Sequence, residues 1–198
     1  MPGTCVGRFE QTSRSTQAAR SEMEHTWSSS ALATRCGRRL IDVTGQLKVG
    51  RRAARAILID ELGRLVLIKR TKPGKAPYWT TPGGGVEDTD PSVEAALYRE
   101  LAEELGAKAM EASQVFLFSS PSDGGVAVQH FFVARLASLD EEARSGAEFT
   151  DPSRGGYDLD RVGLEGDDLG SIDLRPAELK EFILANREAL LIEAGAAG

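Results

Sequence analysis

From about residue 52 onward, apolar and polar residues follow clear periods, and these periods predict the secondary structure. Short runs rich in aliphatic residues predict strands, and the segment ELG between the first two runs predicts the turn of a hairpin. The predicted strands cover residues 53–60, 64–70, 113–120 and 126–137. Apolar residues at helical spacing predict helices at residues 91–105 and 176–193. We therefore expect a mixed α/β domain.

The first predicted helix has recognisable ends. Asp90 is a candidate N-cap, Pro91 suits the first helical position and Gly106 suits the C-terminal stop. The segment before it, YWTTPGGG, contains three consecutive glycines, which argue against an ordinary strand or helix interior.

Other parts of the chain lack such periods and set the expected domain boundaries. Residues 1–50 are predicted to form a disordered basic arm, and residues 51–196 a single domain. The Ser- and Arg-rich start of the arm is also typical of a transit peptide, and a start codon assigned too far upstream is a third alternative. Residues 140–173 are acidic, glycine-rich and poor in aliphatics, so they are expected to form a loop or lid.

Charge and composition narrow the class of protein. The net charge of −6 divides unevenly, because residues 1–55 carry +6 and residues 56–198 carry −12. An acidic domain is not expected to bind nucleic acid. No apolar run approaches the roughly 18 residues of a membrane helix, so no membrane partner is expected. Two cysteines, Cys5 and Cys36, match neither a disulfide framework nor a zinc motif, which favours a cytoplasmic location. The sequence leaves open whether the chain forms a homodimer.

Three glutamates of the first predicted helix are candidates for metal binding. Glu100, Glu103 and Glu104 stand at i, i+3 and i+4 and therefore share one face. Like charges at this spacing repel one another, and a hard cation such as Mg²⁺ would remove the repulsion. The alternative is that they are ordinary solvated glutamates of a helix surface, which is the commoner use of this residue.

The segment GGGVEDTDPSVEAALYRELAEELG resembles the box of the Nudix hydrolase family, G-x5-E-x7-R-E-U-x-E-E-x-G-U with U aliphatic. The second half of the box matches without a gap from Arg99 to Gly106. The first half departs, because Asp90 is the nearest replacement for the first Glu and one residue is inserted before the helix. The upstream segments LVLIKR and YWTTPGGGVE also resemble the family, so that the resemblance covers about residues 52–137.

This resemblance implies a fold, a reaction and a set of site residues. The fold would be an α/β/α sandwich with a mixed sheet. The reaction would be the Mg²⁺- or Mn²⁺-dependent hydrolysis of a diphosphate linkage in a small nucleotide, either a nucleoside diphosphate derivative or a nucleoside triphosphate. Glu100, Glu103 and Glu104 carry over as metal ligands, with Glu100 and Glu103 also catalytic. Arg99 carries over as the residue that orients the carboxylates, and Gly84 and Gly85 as the substrate-binding turn.

Four further residues are weaker candidates. Lys69 and Arg70 end a predicted strand and could contact phosphate oxygens, although a solvated strand end explains them equally well. Asp90 is either the helix N-cap or the substitute for the box glutamate. Some members of the family place a catalytic base on a late loop, which makes Glu148 a candidate in residues 140–173.

A different class of function stays open beside the enzyme. The altered first half of the box is also compatible with a Nudix-like module that binds or senses a nucleotide with little or no cleavage. The complete second half favours the enzyme, because a module without catalysis does not need three clustered carboxylates.

Overall fold

The computed structural model describes residues 48–123, 125–145 and 155–195. All of them belong to one unit of the chain, residues 38–198. The predicted arm lies almost entirely outside the described residues, and so does the candidate base Glu148.

Within the residues that the structure describes, eight strands form one sheet. In chain order they are β1 (Val49–Ile59), β2 (Arg64–Thr71), β3 (Tyr78–Thr80), β4 (Gly83–Gly85), β5 (Ala107–Ser122), β6 (Gly125–Leu139), β7 (Gly156–Gly163) and β8 (Leu174–Arg175).

Four α-helices and one 3₁₀ turn of the described part of the chain accompany the sheet. They are α1 (Val93–Leu105), the 3₁₀ turn Glu141–Ala143, α2 (Asp168–Ser171), α3 (Ala177–Ala185) and α4 (Arg187–Glu193).

The sheet is mixed, with strand order β5-β6-β1-β2-β3-β8. β1 runs parallel to β6, and β3 runs parallel to β8, whereas the other pairs are antiparallel. Two strands lie off this path, because β4 pairs with Ala53–Arg55 of β1 and β7 pairs with the whole of β2. The β4 pairing brings the three glycines against the first half of β1.

Alternate residues of β1 build two cores on opposite faces of the sheet. Ala54, Ala56 and Leu58 pack with α1, and their small side chains let the helix approach closely. Ile57 and Ile59 face the other way and pack with α3 and α4. The result is the α/β/α arrangement that the resemblance implied.

The structure corrects three predicted elements. Residues 156–163 form strand β7, where the sequence predicted only loop. The three glycines form the short strand β4. The predicted helix at 176–193 is two helices separated at Asn186, whose side-chain amide donates to Phe182 O (2.8 Å) and so satisfies a carbonyl at the end of α3. Among the described residues, none of the helices is long and apolar enough to cross a membrane.

The turn between β1 and β2 is held by a buried carboxylate. Asp60 is 2% exposed, and its Oδ1 accepts hydrogen bonds from the backbone N–H groups of Leu62 (3.0 Å) and Arg64 (2.9 Å). Its Oδ2 accepts from the Arg64 guanidinium (2.7 Å) and lies 3.7 Å from Nε of Arg161 on β7. Burial alone would raise the pKa of Asp60, but the hydrogen bonds from Arg64 and Leu62 outweigh it and lower the pKa.

We expect Asp60→Asn to lower the free energy of unfolding at pH 7 by about 2 kcal/mol, because a buried set of charge-assisted hydrogen bonds is lost. The folded-state pKa is lowered, so this stabilisation is present above the unfolded pKa of about 3.9 and disappears as the pH falls through the folded value. Urea unfolding at neutral and acid pH measures both effects. The exposed neighbour Glu61, changed to Gln, is the control. An equal loss in both variants, or a difference that persists in acid, would contradict this role of Asp60.

Candidate active site

Helix α1 begins later than the sequence predicted, and this changes the role of Asp90. The N-cap is Ser92, whose Oγ accepts from the Ala95 N–H (3.0 Å), and the first helical residue is Val93. Asp90 and Pro91 therefore precede the helix, and their predicted capping positions are wrong. The end of the helix agrees with the prediction, because Gly106 adopts a left-handed φ of 63° and its N–H donates to Ala102 O.

The glycine strand, β4, lies directly against the carboxylates of α1. The Gly83 N–H donates to Glu104 Oε2 (2.7 Å). A Cβ on Gly84 would collide with the carboxylate of Glu100, although the φ of Gly84 suits any residue. Glycine is thus favoured at position 84 by the close approach of Glu100, whose carboxylate would have to move aside for a Cβ, rather than by backbone conformation.

Arg99 joins the other groups of the site. Its Nε and Nη2 donate to the two oxygens of Asp90 (3.0 and 2.9 Å), and Nη2 also donates to Gly85 O (2.9 Å). Its Nη1 donates to Glu100 Oε1 (3.0 Å) and Glu103 Oε2 (3.2 Å). One guanidinium therefore fixes the glycine strand, the segment before α1 and two of the three candidate metal ligands.

The charges in this network shift the pKa values of its carboxyl groups in opposite directions. The hydrogen bonds from Arg99 and from the Glu87 N–H lower the pKa of Asp90. Burial raises the pKa of Glu100, and the negative charge of Glu103 adds to this, while Arg99 opposes it. Asp90 is thus held as an anion against Arg99, whereas burial disfavours the charged form of Glu100.

The carboxylates fit a divalent cation in their chemistry. Glu100, Glu103 and Glu104 offer hard oxygen ligands on one helix face, and Mg²⁺ and Mn²⁺ prefer such ligands. Within residues 48–123, 125–145 and 155–195, no three such side chains already converge as a metal cage. A converged cage is not required, because Mg²⁺ commonly takes one or two carboxylates and completes its shell with water and phosphate oxygens.

The two candidate phosphate contacts from β2 both lie on aromatic rings. Lys69 Nζ is 5.4 Å from the centre of the Trp79 ring, and the Arg70 guanidinium is 3.4 Å from that of Tyr157. Lys69 is paired with Trp79 on β3 and Asp158 on β7, and Arg70 is paired with Tyr78 on β3 and Tyr157 on β7. Cation–π contacts of this kind hold the side chains in place at the sheet surface.

Sequence reasoning missed Arg55, which lies at the centre of the site. Its Nη1 donates to Thr81 O (3.3 Å) and to Gly83 O, so it holds the glycine strand from β1. Burial lowers the pKa of Arg55, while the negative charges of Glu104 and Glu100 raise it. The available signal was an arginine at a core-facing position within the apolar run Ala53–Ile59, with Ile57 and Ile59 next on that face.

Comparison with known protein families gives one match over most of the described chain. The family model described as the NUDIX domain matches residues 49–164. Comparison with curated protein sequences gives no match.

Several solved structures share the fold. The solution structure of the Escherichia coli ORF135 protein is 25% identical, covers 70% of this chain and 91% of its own, and has a TM-score of 0.51. The NUDIX domain of Shewanella oneidensis NrtR, described as complexed with ADP ribose, is 20% identical with coverages of 75% and 93% and a TM-score of 0.54. A structure described as ADP compounds hydrolase is 22% identical with coverages of 78% and 84% and a TM-score of 0.56.

We expect Gly84→Ala to lower the free energy of unfolding by about 1–3 kcal/mol, because the new methyl group displaces the carboxylate of Glu100. Gly85→Ala is the matched comparison, since its Cβ would meet only Arg51 Nη2 at 4.0 Å. Urea unfolding of the two variants measures the difference. If Gly85→Ala costs as much as Gly84→Ala, the contact with Glu100 is not what requires glycine.

Proposed function

This chain belongs to the Nudix family of hydrolases, whose domain model matches more than half of it, and we propose that it catalyses the metal-dependent hydrolysis of a diphosphate linkage in a small nucleotide. The substrate would be a nucleoside diphosphate derivative or a nucleoside triphosphate. The observation that carries the proposal is the arrangement around α1, where Glu100 and Glu104 contact the glycine strand and Arg99 orients Glu100 and Glu103.

The proposed reaction breaks one phosphorus–oxygen bond of the diphosphate by attack of water. Bound Mg²⁺ or Mn²⁺, held by Glu100, Glu103 and Glu104, would supply charge neutralisation of the phosphates and a more acidic water. Arg99 keeps the carboxylates in position, and the absence of a side chain at Gly84 lets Glu100 approach the glycine strand closely.

The proton of the attacking water requires a base, and the site offers carboxylates for this role. Glu103 is the more accessible, with 46% of its side chain exposed against 18% for Glu100. A carboxylate that does not bind the metal at that moment can accept the proton. Asp90 is less suited to the role, because both of its oxygens already accept from Arg99. Glu148 stays an alternative base.

Compounds of ADP are the first substrates to test. Two structures of the same fold are described as complexed with ADP ribose and as an ADP compounds hydrolase. Their identities of 20% and 22% establish the shared fold alone, so the choice of ADP derivatives is part of the proposal.

The test is a screen of nucleoside diphosphate derivatives and triphosphates with Mg²⁺ and with Mn²⁺. We expect turnover that requires a divalent cation. We expect Glu103→Gln/Glu104→Gln to lower kcat/KM by at least about 100-fold, since even the outer partners of metal ligands are worth 10–100-fold. Release of phosphate or nucleoside monophosphate measures the rate.

The control for this test changes two exposed glutamates that lie outside the site, Glu181 on α3 and Glu188 on α4, to Gln. Activity near the parent level in the Glu103/Glu104 variant would show that these residues are wrongly assigned. Saturable nucleotide binding without turnover under either cation would instead favour the binding or sensing module.

A further inference from the structure

Two arginines of β1 lie along one side of the glycine strand. Arg51 and Arg55 are four residues apart, so their side chains point to the same face of the sheet. Arg55 is the register partner of Gly83 and donates to the carbonyls of Thr81 and Gly83. The Arg51 Nη2 lies 4.0 Å from the place that a Cβ on Gly85 would take.

The carboxylates of α1 approach the same strand from the other face. Gly84 pairs with Ala54, which packs under α1, and the side of Gly84 that would carry Cβ meets Glu100. Gly85 pairs with Ala53, which precedes Ala54 in β1. The side of Gly85 that would carry Cβ therefore faces Arg51. The glycine strand therefore separates an acidic face from a basic one, and it has no side chains to block either.

Within the described residues, the two arginines of the basic face form no ion pair at contact distance, and the negative charges of Glu104 and Glu100 act on Arg55 only from a greater distance. Within residues 48–123, 125–145 and 155–195, neither Arg51 nor Arg55 has a carboxylate oxygen within 4.0 Å. The hydrogen bonds of Arg55 go to neutral carbonyls. Arg55 is half-buried, and a guanidinium in that position is stabilised by an anion that reaches it.

An open cleft adjoins this basic face. Gln129 on β6 is the register partner of Ala53 and so lies between the two arginines on their face of the sheet. It lines a cleft of about 530 Å³ together with Thr80, Asp173, Arg175, Pro176 and Ala177. This volume lies within the range of about 300–1,000 Å³ found for small-molecule sites.

We propose that Arg51 and Arg55 form a phosphate-binding subsite, in which they hold the diphosphate of the substrate against the glycine strand while the remainder of the nucleotide occupies the cleft beside Gln129. A guanidinium binds phosphate oxygens through paired N–H donors, which a point charge cannot do. The subsite rests on the proposed function for its substrate class, but its own test needs no turnover.

The test measures the binding of ADP and of adenosine by calorimetry in EDTA, at low salt. We expect the parent chain to bind ADP more tightly than adenosine. Arg51→Ala should weaken ADP binding about tenfold, as expected for loss of a charge-assisted contact, and leave adenosine within about twofold. Arg55→Lys keeps the charge but loses the paired donors, so a smaller loss for ADP is expected.

Arg52→Ala is the matched control, because Arg52 is an exposed arginine next to Arg51 whose side chain points to the opposite face of β1. It should leave ADP binding within about twofold of the parent. Urea unfolding of each variant separates weakened binding from weakened folding. Equal losses in Arg51→Ala and Arg52→Ala, or equal affinity of the parent chain for ADP and adenosine, would overturn the subsite.

The two proposals fail in different measurements. If ADP binds through Arg51 and Arg55 but no nucleotide is hydrolysed, the subsite stands and the proposed function fails. If hydrolysis depends on Glu103 and Glu104 but Arg51→Ala changes neither ADP binding nor KM, the function stands and the subsite fails. If the subsite is correct and the enzyme turns over, Arg51→Ala raises KM with little change in kcat.

Discussion

The guanidinium of Arg99 is the interaction on which the geometry of the candidate site depends. It donates hydrogen bonds to the carboxylates of Asp90, Glu100 and Glu103. It also donates to the backbone carbonyl of Gly85. Without a cation at this point, three carboxylates would repel one another in a place that is partly shielded from water. Arginine can serve all of them because its planar group carries five N–H donors. Helix α1, the segment before it and the glycine strand are thereby held as one unit.

The glycine strand is the second feature on which the geometry of the candidate site depends. A side chain at Gly84 would displace the carboxylate of Glu100 from the strand, whereas a Cβ at Gly85 would lie 4.0 Å from Arg51 Nη2. The backbone of Gly83 forms hydrogen bonds with both charged groups. Its N–H donates to Glu104, and its carbonyl accepts from Arg55. Opposite charges therefore approach one backbone segment without contacting each other.

Local patterns predicted some elements well and missed others for a physical reason. The β1–β2 hairpin and the body of α1 carry their own signals, because their apolar residues face a core at a regular period. Strand β7 carries no such signal of its own, since three of its eight residues are charged and the strand is stabilised by its partners. Asp160 accepts from Trp79 Nε1 (2.7 Å), and Tyr157 lies under Arg70. Its pairing with β2, about 90 residues earlier, is invisible in a local window.

The family and the candidate catalytic helix could be predicted from the sequence alone, because the spacing of Arg99, Glu100, Glu103 and Glu104 is a property of one helix. The contacts that residues of the site make could not be predicted from the sequence. Asp90 binds Arg99 rather than capping the helix, and Arg55 reaches Gly83 from 28 residues away. These contacts depend on the tertiary structure: Arg55 reaches Gly83 because β1 pairs with β4, and strand pairing joins segments that are distant along the chain.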